Sequence, residues 1–335
     1  MTVVKLSSIE LCAGAGGQAL GLERAGFQHL AAFENDHWAC ETLRANRDND
    51  LIAPDDRWNV REEDVHDIVG KDFFGVDLVA GGVPCPPFSV AGKQLGADDE
   101  RDLFPKALEI VRDAEPRAVM LENVRGLSQP RFEDYRNKVI HVLEVELGYR
   151  VHWGLIKSSD YGVPQLRPRF ILIALRPEVD QFFEWPAGDV VPPSVGAALE
   201  ELMAENNWPG AEKWASQADT IAPTLVGGSK KHGGPDVGPT RAREAWKRLG
   251  VKGSSIADSA PDEDFPEDAM PRLTVKMGSV LQGFPPEWRF QGGKTAAWRQ
   301  VGNAFPPPVA EAFGRAIAEA ILQYRASARG YGEPA

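Results

Sequence analysis

Cysteine is scarce in this 335-residue chain, which holds only Cys12, Cys40 and Cys85. Three unpatterned thiols exclude a disulfide framework and a cysteine-based zinc site, so no metal is expected, and they fit a reducing compartment. Long apolar runs are missing too. No stretch approaches the ~20 residues of a membrane span, and residues 1–10 carry no signal-peptide pattern. A cytoplasmic protein with no membrane partner is expected. Positive charge is in deficit, with 37 Lys and Arg against 49 Asp and Glu and a net charge of -12. Taken alone, that argues against a nucleic-acid partner. The deficit is uneven, however. Residues 216–255 hold seven cations (Lys230, Lys231, Arg241, Arg243, Lys247, Arg248, Lys252) and three anions (Asp219, Asp236, Glu244). Chance clustering on a solvated surface explains this as well as a binding patch does.

The length allows roughly two domains at ~150 residues each. The stretch that organises them is Gly81-Gly82-Val83-Pro84-Cys85-Pro86-Pro87-Phe88-Ser89, entered from the apolar run 76–80. Pro84, Pro86 and Pro87 restrict their own φ and push the residues before them towards extended shapes, so the backbone aims the thiol. A lone intracellular cysteine is otherwise a small core residue. The remaining chain decides between the two.

Residues 3–10 read as a first strand, 11–17 as a Gly-rich turn and 18–25 as a helix. That layout lets backbone N–H groups and a helix N-terminus approach a ligand, and Gly14-x-Gly16-x-x-Ala19 matches the looser dinucleotide fingerprint. A second strand, 29–33, ends in Glu34-Asn35-Asp36, placing a carboxylate about 20 residues after the turn, where a ribose hydroxyl is met. The two features signal an adenosine-containing cofactor and leave NAD and S-adenosylmethionine unresolved. Residues 38–47 read as a helix and 60–65 as a third strand ending near Asp64, whose position before Asp67 fits a turn better than an adenine contact. Strand 76–80 leads to Cys85, helix 103–114 follows, and strand 117–121 ends in Glu122-Asn123-Val124. Then come a helix at 131–147 and strands at 149–157 and 170–175. Between those strands, Arg167 and Arg169 stand two apart on an extended segment and face one side. Such a pair suits a phosphate or carboxylate, and equally a solvated edge.

From about residue 177 the strand-helix alternation stops, and the acidic stretch 254–269 is expected to be a mobile surface loop. The expected division is a cofactor-binding catalytic domain over 1–176, a small irregular domain over 177–270, and a return to the first domain over 271–335. The last helix, 309–324, should pack back on the sheet. Alternating strands and helices predict an α/β fold with a mostly parallel sheet covered on both faces, and ligands in such sheets sit beyond the strand C-termini. Gly14, Glu34, Asp64, Cys85 and Glu122 all fall there, which weakens the core reading of Cys85.

A thiol, a carboxylic acid and an adenosine-type site on one edge fit covalent catalysis coupled to group transfer. Methylation of cytosine at C5 requires this set. Thiolate addition to C6 makes C5 nucleophilic, and a carboxyl at N3 (Glu122) stabilises the charge that develops. The base must be flipped out of the duplex to be reached.

The same residues resemble the DNA (cytosine-5)-methyltransferases. The motifs that carry the resemblance are Glu10-Leu11-Cys12-Ala13-Gly14-Ala15-Gly16-Gly17, Pro84-Cys85-Pro86-Pro87-Phe88-Ser89 and Glu122-Asn123-Val124. Gln165-x-Arg167-x-Arg169, Arg272-Leu273-Thr274 with Leu281-Gln282-Gly283-Phe284-Pro285, and Gln300-Val301-Gly302-Asn303-Ala304 follow in that family's order. The resemblance implies a Rossmann-like, S-adenosylmethionine-dependent methyltransferase fold with residues 177–270 as a target-recognition domain. It implies Cys85 as nucleophile, Glu122 at N3, and Arg167 and Arg169 holding the flipped cytosine and its phosphates. S-adenosylmethionine would be held by Cys12, Ala13, Gly14, Gly16, Gly17, Glu34, Asn35, Asp64, Val65, Pro84, Leu103, Asn303 and Ala304. Double-stranded DNA would meet a closing loop, 88–101, through Ser89, Lys93, Gln94 and Arg101. It would also meet Gln165, Thr224, Leu225, Gly227, Gly228, Ser229, Lys230 and Lys231.

A monomer is implied, associated with the nucleoid through DNA and serving as the modification half of a restriction-modification system whose cognate endonuclease acts separately. The chain departs from the family pattern at Cys12, usually Phe; at Asn35, often aromatic; at Pro86, usually Gln; and at Lys276-Met277, commonly Arg-Glu, where an ion pair would be lost. Three rivals stand beside this reading. They are methylation of tRNA, a catalytically silent DNA-binding member, and an NAD-dependent oxidoreductase, the last resting only on the Gly-rich turn.

Overall fold

Seven strands form one sheet in the order β3-β2-β1-β4-β5-β7-β6. They are β1 (Leu6–Leu11), β2 (Phe27–Glu34), β3 (Val60–Glu62), β4 (Leu78–Gly81), β5 (Ala118–Val124), β6 (Arg150–Lys157) and β7 (Pro168–Leu175). The computed structural model describes residues 5–47, 58–84, 102–227 and 234–330. β1 to β5 pair in parallel, and β7 runs antiparallel between β5 and β6. Helices α1 (Gly17–Arg24), α2 (His37–Arg47), α3 (Phe104–Ala114) and α4 (Glu133–His141) connect the strands. The predicted α/β class with a mostly parallel sheet is the one observed.

Strand periodicity explains why both faces are covered. On β7, Phe170, Leu172 and Ala174 enter one core with Phe104 and Ile110 of α3, while Ile171, Ile173 and Leu175 enter a second. A strand buried on both sides has no polar face, so residues 170–175 of β7 read as an unbroken apolar run. The second core is closed by α11 (Pro307–Gly330) through Val309, Phe313, Ile317 and Ile321. Its far end is tied to the sheet by Asp77, which lies 3.0 Å from Arg117 and 2.6 Å from Arg325. No helix among the described residues is long and apolar enough to cross a membrane.

The later chain folds as α5 (Pro177–Asp180), α6 (Val195–Met203), α7 (Ala211–Gln217) and α8 (Thr240–Arg248), then α9 (Val275–Leu281) and α10 (Lys294–Asn303). Trp208, Trp214 and Trp246 build a third core, which takes in Leu273, Met277 and Leu281 around α9 and Trp298 and Val301 of α10. Val179 and the half-buried Phe182, Phe183 and Trp185 pack instead on the second core. The change of core therefore falls after residue 177, and the third core reaches past residue 270.

Some local expectations are corrected. Residues 254–269 are not a loose loop, because Ile256 and Ala260 are buried in the third core and a bridge joins Asp262 to Asn206. The helix expected over 131–147 is broken into the turn Pro130–Phe132, α4, and a π-turn over Val142–Glu146. β3 stops at Glu62, and Asp64 caps the turn Val65–Asp67 by accepting from the His66 N–H. At the Lys276-Met277 departure, Lys276 lies 3.0 Å from Glu205, and the Met277 sulfur accepts from the Thr274 N–H in the cap of α9.

Candidate active site

A cavity of about 520 Å³ opens beyond the C-terminal ends of β1, β2, β4 and β5. Its size is that of a small-molecule site. The turn from β1 to α1 forms its floor. Gly16, at φ 84°, occupies the N-cap position of α1 without a side-chain cap, and the Ala19 N–H faces the Glu10 carboxyl, which leaves the N–H groups of Gly17 and Gln18 for a ligand. Gly17 has no room for a side chain, since a Cβ there would lie 2.0 Å from the Phe305 carbonyl oxygen. Cys12 also holds a left-handed backbone, at φ 53°.

Of the predicted cofactor residues, all but Gly16 and Asp64 line this cavity. Asp64 lies just outside and accepts from the Asn35 amide at 3.3 Å. Glu34 is fixed by three backbone donors: the Gly14 N–H at 2.8 Å on one oxygen, and the N–H groups of Asn35 and Asp36 at 2.9 and 2.8 Å on the other. Burial nonetheless raises its pKa. Sequence reasoning missed Glu10 and Gln18. Both are buried in the cavity wall; the Gln18 amide has no hydrogen-bond partner, and the Glu10 carboxyl meets the Ala19 backbone N–H in the first turn of α1. Burial pushes the Glu10 carboxyl well above the ordinary carboxylate range. A glutamate in the otherwise apolar end of β1 was the signal available for it.

Register brings the next pair together. Glu122 of β5 stands opposite Ile171 of β7, so Arg169, two residues away, is its diagonal neighbour on the same face. Arg169 Nε lies 2.6 Å from Glu122 Oε1, with both side chains largely buried. Burial raises the Glu122 pKa even though Arg169 and Arg167 pull it down. Glu122 lines the same cavity as Glu34, together with Gly82 and Pro84. Asn123, also missed as a working residue, donates to the Val83 carbonyl at 2.7 Å and so holds the strand end that leads into Pro84.

The remaining predicted residues are placed differently. Arg167 is fully buried and donates to the backbone carbonyls of Leu225 and Gly302. It therefore acts on Glu122 through its charge, while the direct ion pair is made by Arg169. Gln165 and Leu225 are interior as well, rather than on a DNA-facing surface. Thr224 is half-buried, with its hydroxyl donating to the Leu166 carbonyl. Gly227 packs on the end of α10, where a Cβ would lie 2.9 Å from Asn303 Oδ1. Cys85, Ser89, Lys93, Gln94, Arg101, Gly228, Ser229, Lys230 and Lys231 lie outside the described residues. The other two thiols are held protonated. Burial raises the Cys12 thiol far above its ordinary range, helped by Glu34, Asp64 and Glu10, and it pushes Cys40 up to about 12.

Comparison with known proteins agrees with this arrangement. A family model described as C-5 cytosine-specific DNA methylase matches residues 6–319. The chain is 53% identical over 317 residues to the type II methyltransferase M.NaeI of Lentzea aerocolonigenes, covering 94% of this chain and 75% of that one. It is 50% identical over 329 residues to the type II methyltransferase M.NgoMIV of Neisseria gonorrhoeae, covering 95% and 99%. Among solved structures, Dnmt2 of Spodoptera frugiperda superposes with a TM-score of 0.62 at 17% identity, covering 96% of this chain and 99% of that one. Dnmt2 of S. pombe does so at 0.61 and 17%, again covering 96% and 99%. At such identity these two speak for the fold alone.

Proposed function

The chain belongs to the C-5 cytosine-specific DNA methylase family and is a DNA (cytosine-5)-methyltransferase that uses S-adenosylmethionine, and from that premise we propose how its residues divide the reaction. The observation that carries the assignment is a buried Glu122 carboxyl with a raised pKa, opening on the same cavity as the ribose-type carboxylate Glu34. The cavity suits the cofactor. The N–H groups of Gly17 and Gln18 at the start of α1, the anchored Glu34 carboxylate, the buried Glu10 carboxyl and the unpartnered Gln18 amide match a ligand with hydroxyls and a charged amino-acid end. When bound, S-adenosylmethionine supplies an electrophilic methyl group.

Cys85 is the nucleophile by this reading. Cys12 and Cys40 are held as thiols, whereas Cys85 is the residue after Pro84 in the sequence, and Pro84 lines the cavity. Its thiolate adds to C6 of a flipped cytosine, and the ring electrons move to make C5 nucleophilic. Protonated Glu122 donates to N3 and stabilises that charge. Arg169 orients Glu122 across the β5–β7 pair. After methyl transfer, water takes the C5 proton, the C5–C6 double bond re-forms and the C6–S bond breaks to release the Cys85 thiolate.

The domain built on the third core serves as the target-recognition domain. Ser89, Lys93, Gln94 and Arg101 in one segment and Gly228 to Lys231 in another meet the DNA. The protein acts as a monomer, as the modification half of a restriction-modification system with a separate endonuclease. The test is a covalent trap. DNA carrying 5-fluorocytosine, incubated with the protein and S-adenosylmethionine, should give an adduct stable to denaturing electrophoresis. Cys85→Ser should abolish it, and an equally trapped variant refutes the assignment.

A further inference from the structure

One charged side chain in the cavity wall takes no part in the chemistry. Glu10, Glu34, Asp36, Glu63 and Glu122 line the cavity with carboxyl groups, and among the described residues Arg299 brings the only fixed positive charge. It sits one helical turn before Asn303 on α10. Its Nη2 lies 3.6 Å from Asp36 Oδ2, and the two side chains are only 19% and 20% exposed.

Asp36 links this guanidinium to Glu34. Its Oδ1 caps α2, accepting from the N–H groups of Trp38 and Ala39 at 3.1 and 3.2 Å. Its own N–H donates to Glu34 Oε1 at 2.8 Å, beside the Asn35 N–H at 2.9 Å. Through one carboxylate, Arg299 therefore meets the turn that fixes Glu34. The two helices are tied together close by. Thr42 of α2 donates to Gln300 Oε1 at 2.7 Å, Gln300 donates to the Gln291 carbonyl at 2.9 Å, and the Gln291 N–H donates back to Thr42 Oγ1 at 2.8 Å. With α2 and α10 held at a set spacing, less freedom is lost in bringing Arg299 to Asp36.

Charge gives the contact its consequence. Burial, and more weakly the charge of Asp36, push Glu34 towards its neutral form. An ionised carboxylate accepts at both oxygens and can meet two ribose hydroxyls, whereas a protonated one gives up part of that capacity to a donor. A cation on Asp36 offsets the repulsion while leaving the three backbone donors of Glu34 in place. An exposed ion pair would contribute little, but this one is largely withdrawn from water in an otherwise acidic wall. We propose that Arg299 is a positioning residue for the cofactor's ribose, acting through Asp36 to keep the Glu34 carboxylate set as acceptor for the ribose hydroxyls. The proposal rests on the reading of Glu34 as the ribose carboxylate.

Ribose discrimination is the readout. Calorimetric titration compares S-adenosylhomocysteine with its 2′-deoxy and 3′-deoxy analogues. Wild type should prefer the parent by roughly tenfold or more, as expected for hydrogen bonds to a charged group. In Arg299→Gln the preference should fall to about threefold or less, whereas Arg299→Lys, which keeps the charge, should hold it within about twofold of wild type. Asp36→Asn keeps a side-chain cap for α2 and removes the anion that Arg299 offsets. In that background Arg299→Gln should no longer lower the preference.

A preference kept in Arg299→Gln overturns the proposal, including the case in which all three ligands weaken equally. So does an equal loss in the Asp36→Asn background, which would put the guanidinium on the ligand itself. Arg299→Met repeats the test without a polar head; if it and Arg299→Gln both unfold by circular dichroism, the pair is structural only and the proposal fails. Wild type that binds none of the ligands would instead refute the cofactor site, and wild type that binds all three alike would refute the ribose reading of Glu34. A wild-type preference untouched by the variants refutes the role of Arg299 alone.

Discussion

Glu122 lies between opposed influences. Burial favours its neutral form, and Arg169, with Arg167 beyond it, favours the anion; burial prevails. The carboxyl therefore stays protonated to a higher pH than an exposed glutamate, which is the state that can donate to N3. As pH rises through the raised pKa the donor is lost, so methyl transfer should fall on the alkaline side. Glu122→Gln keeps a neutral group that does not titrate. Single-turnover rates should drop by about 10²-fold or more in this variant. Cofactor affinity should hardly change, and the alkaline limb due to Glu122 should vanish. An unchanged rate would remove Glu122 from the chemistry. Arg169 was legible as an arginine near a strand end, but its partner was not. Pairing it with Glu122 required the antiparallel register of β5 on β7, which brings residues 47 apart in the chain onto one face.

Among the elements, α10 bears most on the site because its two ends meet different things. Its C-terminal turn supplies Gln300 and Asn303 to the cavity wall, and its body carries Trp298 and Val301 into the third core. Gly302 allows the contact with Gly227, since any Cβ would collide with backbone there. Gly302→Ala should cost about 1–3 kcal/mol in urea denaturation, because backbone cannot rotate aside as a side chain can. Gly234→Ala meets open space and serves as the control, with a change within about 0.5 kcal/mol expected. Helix and strand identities before residue 177 were readable from hydrophobic period and turn residues. The π-turn that ends α4 and the early stop of β3 were not, because local propensity there yields to packing and to the Asp64 cap.

For the whole molecule, pH acts on stability through groups that folding removes from water. His29 is fully buried, with Nε2 facing the Ala19 carbonyl at 2.9 Å and Nδ1 facing the Ser8 hydroxyl at 3.0 Å. A carbonyl can only accept, so Nε2 carries the proton and Nδ1 accepts. Burial pushes its pKa down to about 4 from 6.5. Below pH 6.5 the unfolded chain takes up a proton that the folded chain refuses, so this contribution to stability is lost as pH falls towards about 4. The full loss amounts to about 3 kcal/mol. Urea midpoints of wild type and His29→Gln should therefore converge as pH falls through that window. Parallel curves would mean that His29 is not buried neutral.

The strand ends that carry Gly14, Glu34, Pro84 and Glu122, and so the kind of ligand and reaction, were already present in the order of residues. Such positions are local, since each follows from a short apolar run and the turn that ends it. The partners of Arg167 and Arg169, the buried Glu10 and Gln18 in the cavity wall, and the passage of the third core across residue 270 belong to the folded chain alone. Each depends on segments far apart in sequence meeting in one place. Burial, hydrogen-bond satisfaction and shifted pKa values arise only from that meeting.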